Sequence, residues 1–271
     1  MRILLTNDDG VLSPVLYRSA DALAGEHDVV VAAPANDQSG KSHAFTHGTG
    51  KFLTYEQEMT TPWPLYRVDG TPSDCVKFAV SHLLRDQLPD VVISGPNLGE
   101  NAGISAVYSG TVAAAREAAL WNIPALAVSL SESTPVHLEY ALEWLLNLLR
   151  APESLPKPGT FWNINFPACA PSDVAGSRFT RMSTVMFRDH YVDETTSHGI
   201  SAHRLLGHKP AELFEVGTDD AVLRENYIAV TPLRVSQSDE SALADLQLRA
   251  AWLNSLSPSP AATQATIQAA R

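Results

Sequence analysis

Cysteine is scarce in this chain, with Cys75 and Cys169 the only two among 271 residues. Two cysteines are too few for a disulfide scaffold and lack the spacing of a zinc site. Positive charge is short as well: 19 Lys and Arg face 30 Asp and Glu, a formal net charge of -11. That balance argues against a nucleic-acid polymer as partner, since such polymers are held by clustered cations. No apolar run approaches the length of a bilayer span. The chain opens directly into a strand-like run, with no basic segment leading into a long apolar one, so no signal peptide is expected. These absences lead us to expect a soluble protein of a reducing, cytoplasmic setting, without membrane or nucleic acid as partner.

What is present suits a large folded unit. Hydrophobic residues make up 45% and charged residues 18%, ordinary values for a globular protein with a substantial core. The length fits one large α/β domain, or such a domain with an elaborate arm. Strand-like and helical patterns alternate through the first half. Strands are expected at 2–6, 28–33, 90–94, 124–130 and 161–166, and helices at 15–23, 73–84, 111–120 and 136–149. This alternation predicts a mostly parallel sheet with helices on both faces. From 176 to 232 the pattern becomes extended, as in a projecting hairpin arm. A terminal helix is expected at 238–256, and a tail poor in buriable residues, expected to be disordered, at 257–271.

Three polar loops follow three of the strands. The first, Asn7-Asp8-Asp9-Gly10, sets two adjacent carboxylates at a strand end, where open α/β sheets place their ligands. Adjacent carboxylates repel, so a site that holds both usually has a cation to offset them. The same residues are also ordinary turn formers. The second loop runs Asn36-Asp37-Gln38-Ser39-Gly40-Lys41-Ser42, and the third runs from Ser94 to Gly103 through Asn97. Their carboxylates, hydroxyls and amides are hard oxygen donors, better suited to Mg²⁺ or Mn²⁺ than to zinc. Tyr108-Ser109-Gly110-Thr111 then opens a helix. Ser and Thr there are caps first, but a helix start with free amides and hydroxyls is also a phosphate site.

Ala35–Ser42 approximates the spacing of a P-loop, with Ala in place of its first Gly. A P-loop must pass at once into a helix, whereas the continuation His43–Gly50 is Gly-punctuated and β-like. A P-loop ATPase or kinase is therefore the weaker alternative, beside a non-catalytic nucleotide sensor. His43, His47, His198, His203 and His208 share no helical or strand face and read as surface or arm positions. The turn Gly70–Cys75 reads as structural, with Cys75 in the core.

Five ordered motifs are similar to those of one family. Thr6–Gly10, Ala33-Pro34 with Gln38-Ser39-Gly40, Gly70–Val76, Ser94–Gly99 and Tyr108–Val112 resemble the SurE (survival protein E) nucleotidases. Gly217-Thr218-Asp219 and Tyr227–Leu233 resemble its later segments, so the likeness runs from residue 1 to about 235. It implies a Rossmann-like core at 1–175 and extended strands with an oligomerisation arm at 176–235. It also implies removal of phosphate from nucleoside 5'- or 3'-monophosphates by a homodimer or homotetramer. Asp8, Asp9, Ser39 and Asn97 would hold one divalent metal per subunit, Mg²⁺ or Mn²⁺. Ser109, Gly110 and Thr111, aided by Asn97, would bind the phosphoryl group, and Asp8, Asp9 and Asn97 would carry the catalysis. The family often has an Asp shortly before its Tyr-Ser-Gly-Thr, whereas Ile104-Ser105-Ala106 here has none, and residues 184–216 match it poorly.

Overall fold

A computed structural model of the chain describes residues 1–48, 53–58, 60–132, 134–195 and 201–247. Arg2–Thr6 forms strand β1, followed by α1 (Pro14–Ala24) and β2 (Asp28–Pro34). Tyr55–Glu58 is β3 and Leu65–Val68 is β4. Helix α2 (Pro72–Phe78) widens into a π-turn over Ala79–Leu83 and leads to β5 (Val91–Leu98). A short α3 (Ser105–Tyr108), α4 (Gly110–Leu120), β6 (Ala125–Leu130), α5 (Pro135–Leu149) and β7 (Thr160–Phe166) complete the alternating part. Then come β8 (Gly176–Phe179), β9 (His190–Thr195), β10 (Ser201–Leu206), α6 (Asp219–Arg224), β11 (Tyr227–Arg234) and α7 (Glu240–Gln247). The chain divides after Val235, and α7 belongs to the second unit. The end of the terminal helix expected at 238–256, and all of 257–271, lie outside the described residues. No described helix is long and apolar enough to cross a membrane.

Nine strands form one sheet in the order β3-β4-β2-β1-β5-β6-β7-β11-β8. From β4 to β7 every neighbouring pair is parallel, while β3 and β11 run antiparallel to β4 and β7. The chain builds outward from β1 through β2 to β3, then returns to lay β5 on the other side of β1. That reversal makes the β1/β5 boundary the switch point where ligands of open α/β sheets collect. It is formed by the loops that carry Asp8, Asp9 and Asn97.

Strand alternation divides the core between two faces. Ile3, Leu5, Val31, Ile93 and Val128 face α1 and α5, whose Leu16, Leu23, Leu142 and Leu145 cover them. Leu4, Ala32, Val92 and Ala127 face the other side, packed by Val76 of α2 and Val112, Ala114, Ala115 and Ala118 of α4. Alanines on α4 let it approach the sheet closely, and its first turn meets Asp8 just beyond the end of β1.

Several expectations need correction. Residues 55–68, given no element from sequence, supply β3 and β4, and exposed Glu56 and Glu58 sit on the edge strand, where charge discourages further pairing. The third loop is largely strand: β5 breaks register between Ser94 and Asn97, then resumes pairing with Asn97 opposite Ser129. Gly95 makes this possible, since a Cβ there would meet the Val128 carbonyl oxygen at 2.2 Å. Within 176–232, the β9–β10 hairpin is an arm, but β8 and β11 join the main sheet and Asp219 opens a helix. The stretch after Lys41, expected to be β-like, is turns and irregular chain over residues 43–48, and residues 49 and 50 lie outside the described residues.

His43, expected at the surface, is tied to the core. Its Nε2 lies 2.9 Å from Glu117 of α4, which also receives bonds from Lys77 at 2.8 Å and Trp121 Nε1 at 2.9 Å. Burial alone would raise the Glu117 carboxyl, but the bonds from His43, Lys77 and Trp121 outweigh it and bring the pKa down to about 2. A depressed carboxyl stabilises the fold above its unfolded pKa of 4.5 and loses that contribution as pH falls toward about 2. Glu117→Gln is therefore expected to cost about 2 kcal/mol at neutral pH, with allowance for solvent screening. In urea titrations the gap should close between pH 4.5 and about 2; a pH-independent gap would remove the charge from the explanation.

Candidate active site

A cavity of about 340 Å³ opens at the switch point, lined by Asp8, Asp9, Ser39, Asn97 and Ser109 among others. The ends of β1, β2 and β5, the start of α4 and the segment carrying Phe187 thus bring together residues from Asp8 to Phe187. Asp8 is 4% exposed. Its Oδ1 accepts from Thr111 Oγ1 at 2.5 Å and its Oδ2 from the Thr111 amide at 3.2 Å. Gly110 permits this approach, because a Cβ there would lie 2.9 Å from Asp8 Cβ and 3.0 Å from Oδ2. Burial pushes the Asp8 carboxyl above the usual range, and the bonds from Thr111 offset part of that.

Asp9 feels burial first, then the charges of Asp8 and Asp37, and its pKa rises to about 6. Its Oδ2 is buried without a hydrogen-bond partner among the described residues. Such an oxygen is costly unless something positive meets it. Ser39 Oγ donates to Asp37 Oδ1 at 2.6 Å, which commits its proton and leaves its lone pairs free. Asn97 Nδ2 donates to the Gly99 carbonyl at 2.8 Å, leaving the amide oxygen as its open atom. Among the described residues no cluster of three or more His, Cys, Asp or Glu could hold a metal. A cation at this site would rest on two carboxylates and two neutral oxygens, all hard donors that fit a magnesium-like ion.

Ser109 caps α4, its Oγ accepting from the Val112 amide at 3.1 Å, and it also lines the cavity. The capping and ligand-facing roles therefore coexist, since the hydroxyl keeps its proton to donate. Thr111 differs from expectation. It is fully buried, it does not line the cavity, and its hydroxyl is committed to Asp8. Lys41 does not line the cavity either, and residues 42–48 after it are not helical. Arg116 is likewise elsewhere, its guanidinium 5.8 Å from the Phe161 ring.

The motifs did not single out Asn101, Ser105 and Phe187, which also line the cavity. Asn101 is fixed by Asn165, Ser129 and Asn163 at 2.8–2.9 Å. The loop carrying it is anchored by Asp219, whose Oδ2 accepts from the Gly103 amide at 2.7 Å and Oδ1 from the Ser183 amide at 2.8 Å. The Gly217-Thr218-Asp219 match marked this anchor; nothing local marked Phe187. The turn Gly70–Cys75 is structural as expected, with Thr71 and Asp74 in a reciprocal cap and Cys75 fully buried.

The family model described as Survival protein SurE matches residues 3–189. The 5'-nucleotidase SurE 1 of Thermus thermophilus is 41% identical over 239 residues, covering 86% of this chain and 91% of that protein. The 5'-nucleotidase SurE of Desulfatibacillum aliphaticivorans is 39% identical over 255 residues, covering 91% and 97%. The crystal structure of SurE from Aquifex aeolicus superposes with a TM-score of 0.77 at 26% identity, covering 92% of this chain and 99% of that one. The matched span takes in both carboxylates, the bulged β5 and the capped start of α4, and on that footing the chain belongs to the SurE family.

Proposed function

We propose that this chain is a divalent-cation-dependent phosphomonoesterase acting on nucleoside monophosphates, in line with relatives named 5'-nucleotidases. The observation that carries this reading is the buried Asp9 Oδ2, unpartnered among the described residues, in a residue that lines one cavity with Asp8 and with Ser109 at the capped start of α4. Asp8, Asp9, Ser39 and Asn97 would hold one Mg²⁺ or Mn²⁺, which when bound supplies charge stabilisation to the phosphoryl oxygens. Ser109 and the amide of Gly110 orient the phosphoryl group and meet the charge that develops on it. Thr111 holds Asp8 by both oxygens, an arrangement that suits a fixed anion better than a nucleophile that must swing onto phosphorus. Asp9 is left to accept the proton of the attacking water. Phosphate release from nucleoside monophosphates should require added Mg²⁺ or Mn²⁺ and stop in excess chelator. Undiminished release in chelator would end the reading.

The same proposal includes a homodimer or homotetramer. Among the described residues strands β9 and β10 pair with each other and with no third strand, and Tyr191, Val192, Leu205 and Leu206 stand exposed on them. Two free strand edges with apolar side chains are a surface that another subunit would cover. Light scattering at micromolar concentration should give at least twice the 29.2 kDa chain mass; a monodisperse monomer would count against the arm's role.

A further inference from the structure

Beside the catalytic cavity lies a larger one of about 540 Å³. Phe187 lines both, and Glu100 of the larger precedes Asn101 of the smaller in the chain, so the two spaces share a wall. The volume is that of an ordinary small-molecule site. One side is built from the sheet-end residues Glu100 and Ser131, the other from the arm and the end of α6.

Its polar groups fall into two sets. Lys209, with a side chain 6% exposed, is committed to Asp220, to Glu100 at 3.5 Å and to the Ala102 carbonyl at 3.2 Å. It ties the arm to the catalytic loop and has no bond to spare. The side chains of His208, Arg224 and Asn226 make no hydrogen bond among the described residues, yet they line the cavity with the Phe214 ring. Free edge-bonding groups beside aromatic rings are what a nucleobase needs, a π-face to stack on and partners for its polar rim. A second groove, lined by Val15, Leu130 and Leu138, also adjoins the catalytic cavity, through Leu98. Its charged residues Arg18 and Glu139 pair with each other and Thr134 is bonded to His137, so nothing there is left to read a base.

We propose that the larger cavity is the nucleoside subsite. The phosphoryl group sits at Asp8, Asp9 and Ser109, the ribose passes Phe187, and the base lies against Phe214 with its edge on Arg224 and Asn226. This rests on the phosphatase reading and adds to it where specificity resides.

The test compares adenosine monophosphate with ribose 5-phosphate, which carries a phosphoryl group on the same sugar and no base. Phe214→Ala and Arg224→Ala should each lower the ratio of kcat/KM for the nucleotide to that for the sugar phosphate about tenfold, mainly through KM for the nucleotide. Arg224 is exposed at the end of α6, so its variant keeps the fold even where Phe214→Ala does not, and turnover of the sugar phosphate certifies the site. An unchanged ratio in the folded variants, or equal losses on both esters, overturns the subsite and leaves the phosphatase reading standing. Turnover of neither ester by the unaltered chain overturns both.

Discussion

Asp9→Asn is expected to lower kcat/KM on a nucleoside monophosphate by about 100- to 10,000-fold, the span usual for loss of a positioned general base. The fold should survive, and the reason lies in the sign of the electrostatics. Asp8 and Asp9 both have carboxyl groups pushed upward, first by burial and then, for Asp9, by Asp8. A raised carboxyl destabilises the cation-free fold as pH rises from 3.8 through about 6, because the folded state then holds a charge it would rather neutralise. Asparagine cannot ionise, so without a cation the variant should be at least as stable as the parent at pH 7. Mg²⁺ or Mn²⁺ should raise the Tm of the parent by mass action and barely move that of the variant. A variant that keeps both the cation-induced Tm rise and its activity would show that Asp9 holds neither cation nor proton. Asp8→Asn should also inactivate, for a different reason: the Thr111 hydroxyl and amide that now meet a carboxylate would face a neutral amide, one of whose ends is itself a donor.

How much of this was legible in the sequence depends on how far each feature reaches. Strand β1 and its Asn7–Gly10 turn are local, and so are the Ser109 cap and the structural turn Gly70–Cys75; residue type and spacing were enough for these. Asn97 was expected in a loop after a strand ending at residue 94, and the resumption of β5 pairing opposite Ser129 was not foreseen. That pairing depends on β6, some thirty residues on, and Gly95-Pro96 reads locally as a turn. Thr111 shows the same limit at finer grain. Its motif marks it as important, yet only the packing of Gly110 on Asp8 decides that its hydroxyl reaches the carboxylate and not the cavity. Phe187 and the arm side of the larger cavity carry no motif, since their place is set by β11 joining the main sheet and Asp219 tying Gly103 to Ser183. The β3–β4 edge was missed for a plainer reason: β3 is exposed at every position and has no apolar alternation to read.

Replacing Ser109 and Thr111 together with Ala should cost kcat/KM about 100- to 1,000-fold, while Lys41→Ala should cost little. The first figure is that of losing donors aimed at developing charge, but the two residues reach it by separate routes. Ser109 lines the cavity and caps α4, so Ser109→Ala alone should weaken phosphoryl binding and take about 1 kcal/mol of stability with the cap. Thr111 acts through Asp8. Thr111→Val keeps the shape of the side chain but strips Asp8 Oδ1 of the Thr111 hydroxyl, leaving a buried carboxylate oxygen short of a bond at a cost of about 1–3 kcal/mol. Its activity should fall while KM for the nucleotide holds, because the substrate never touches that hydroxyl. Thr111→Ser, which restores the donor, should recover most of the loss. Lys41 lies in a chain of turns and outside the cavity lining, so its charge has no fixed path to the phosphate. Circular dichroism on each variant separates a lost cap from a lost contact. Should Lys41→Ala prove the severe substitution and the Ser109/Thr111 pair dispensable, the phosphate belongs on the 35–42 loop, and the start of α4 is a capped helix and nothing more.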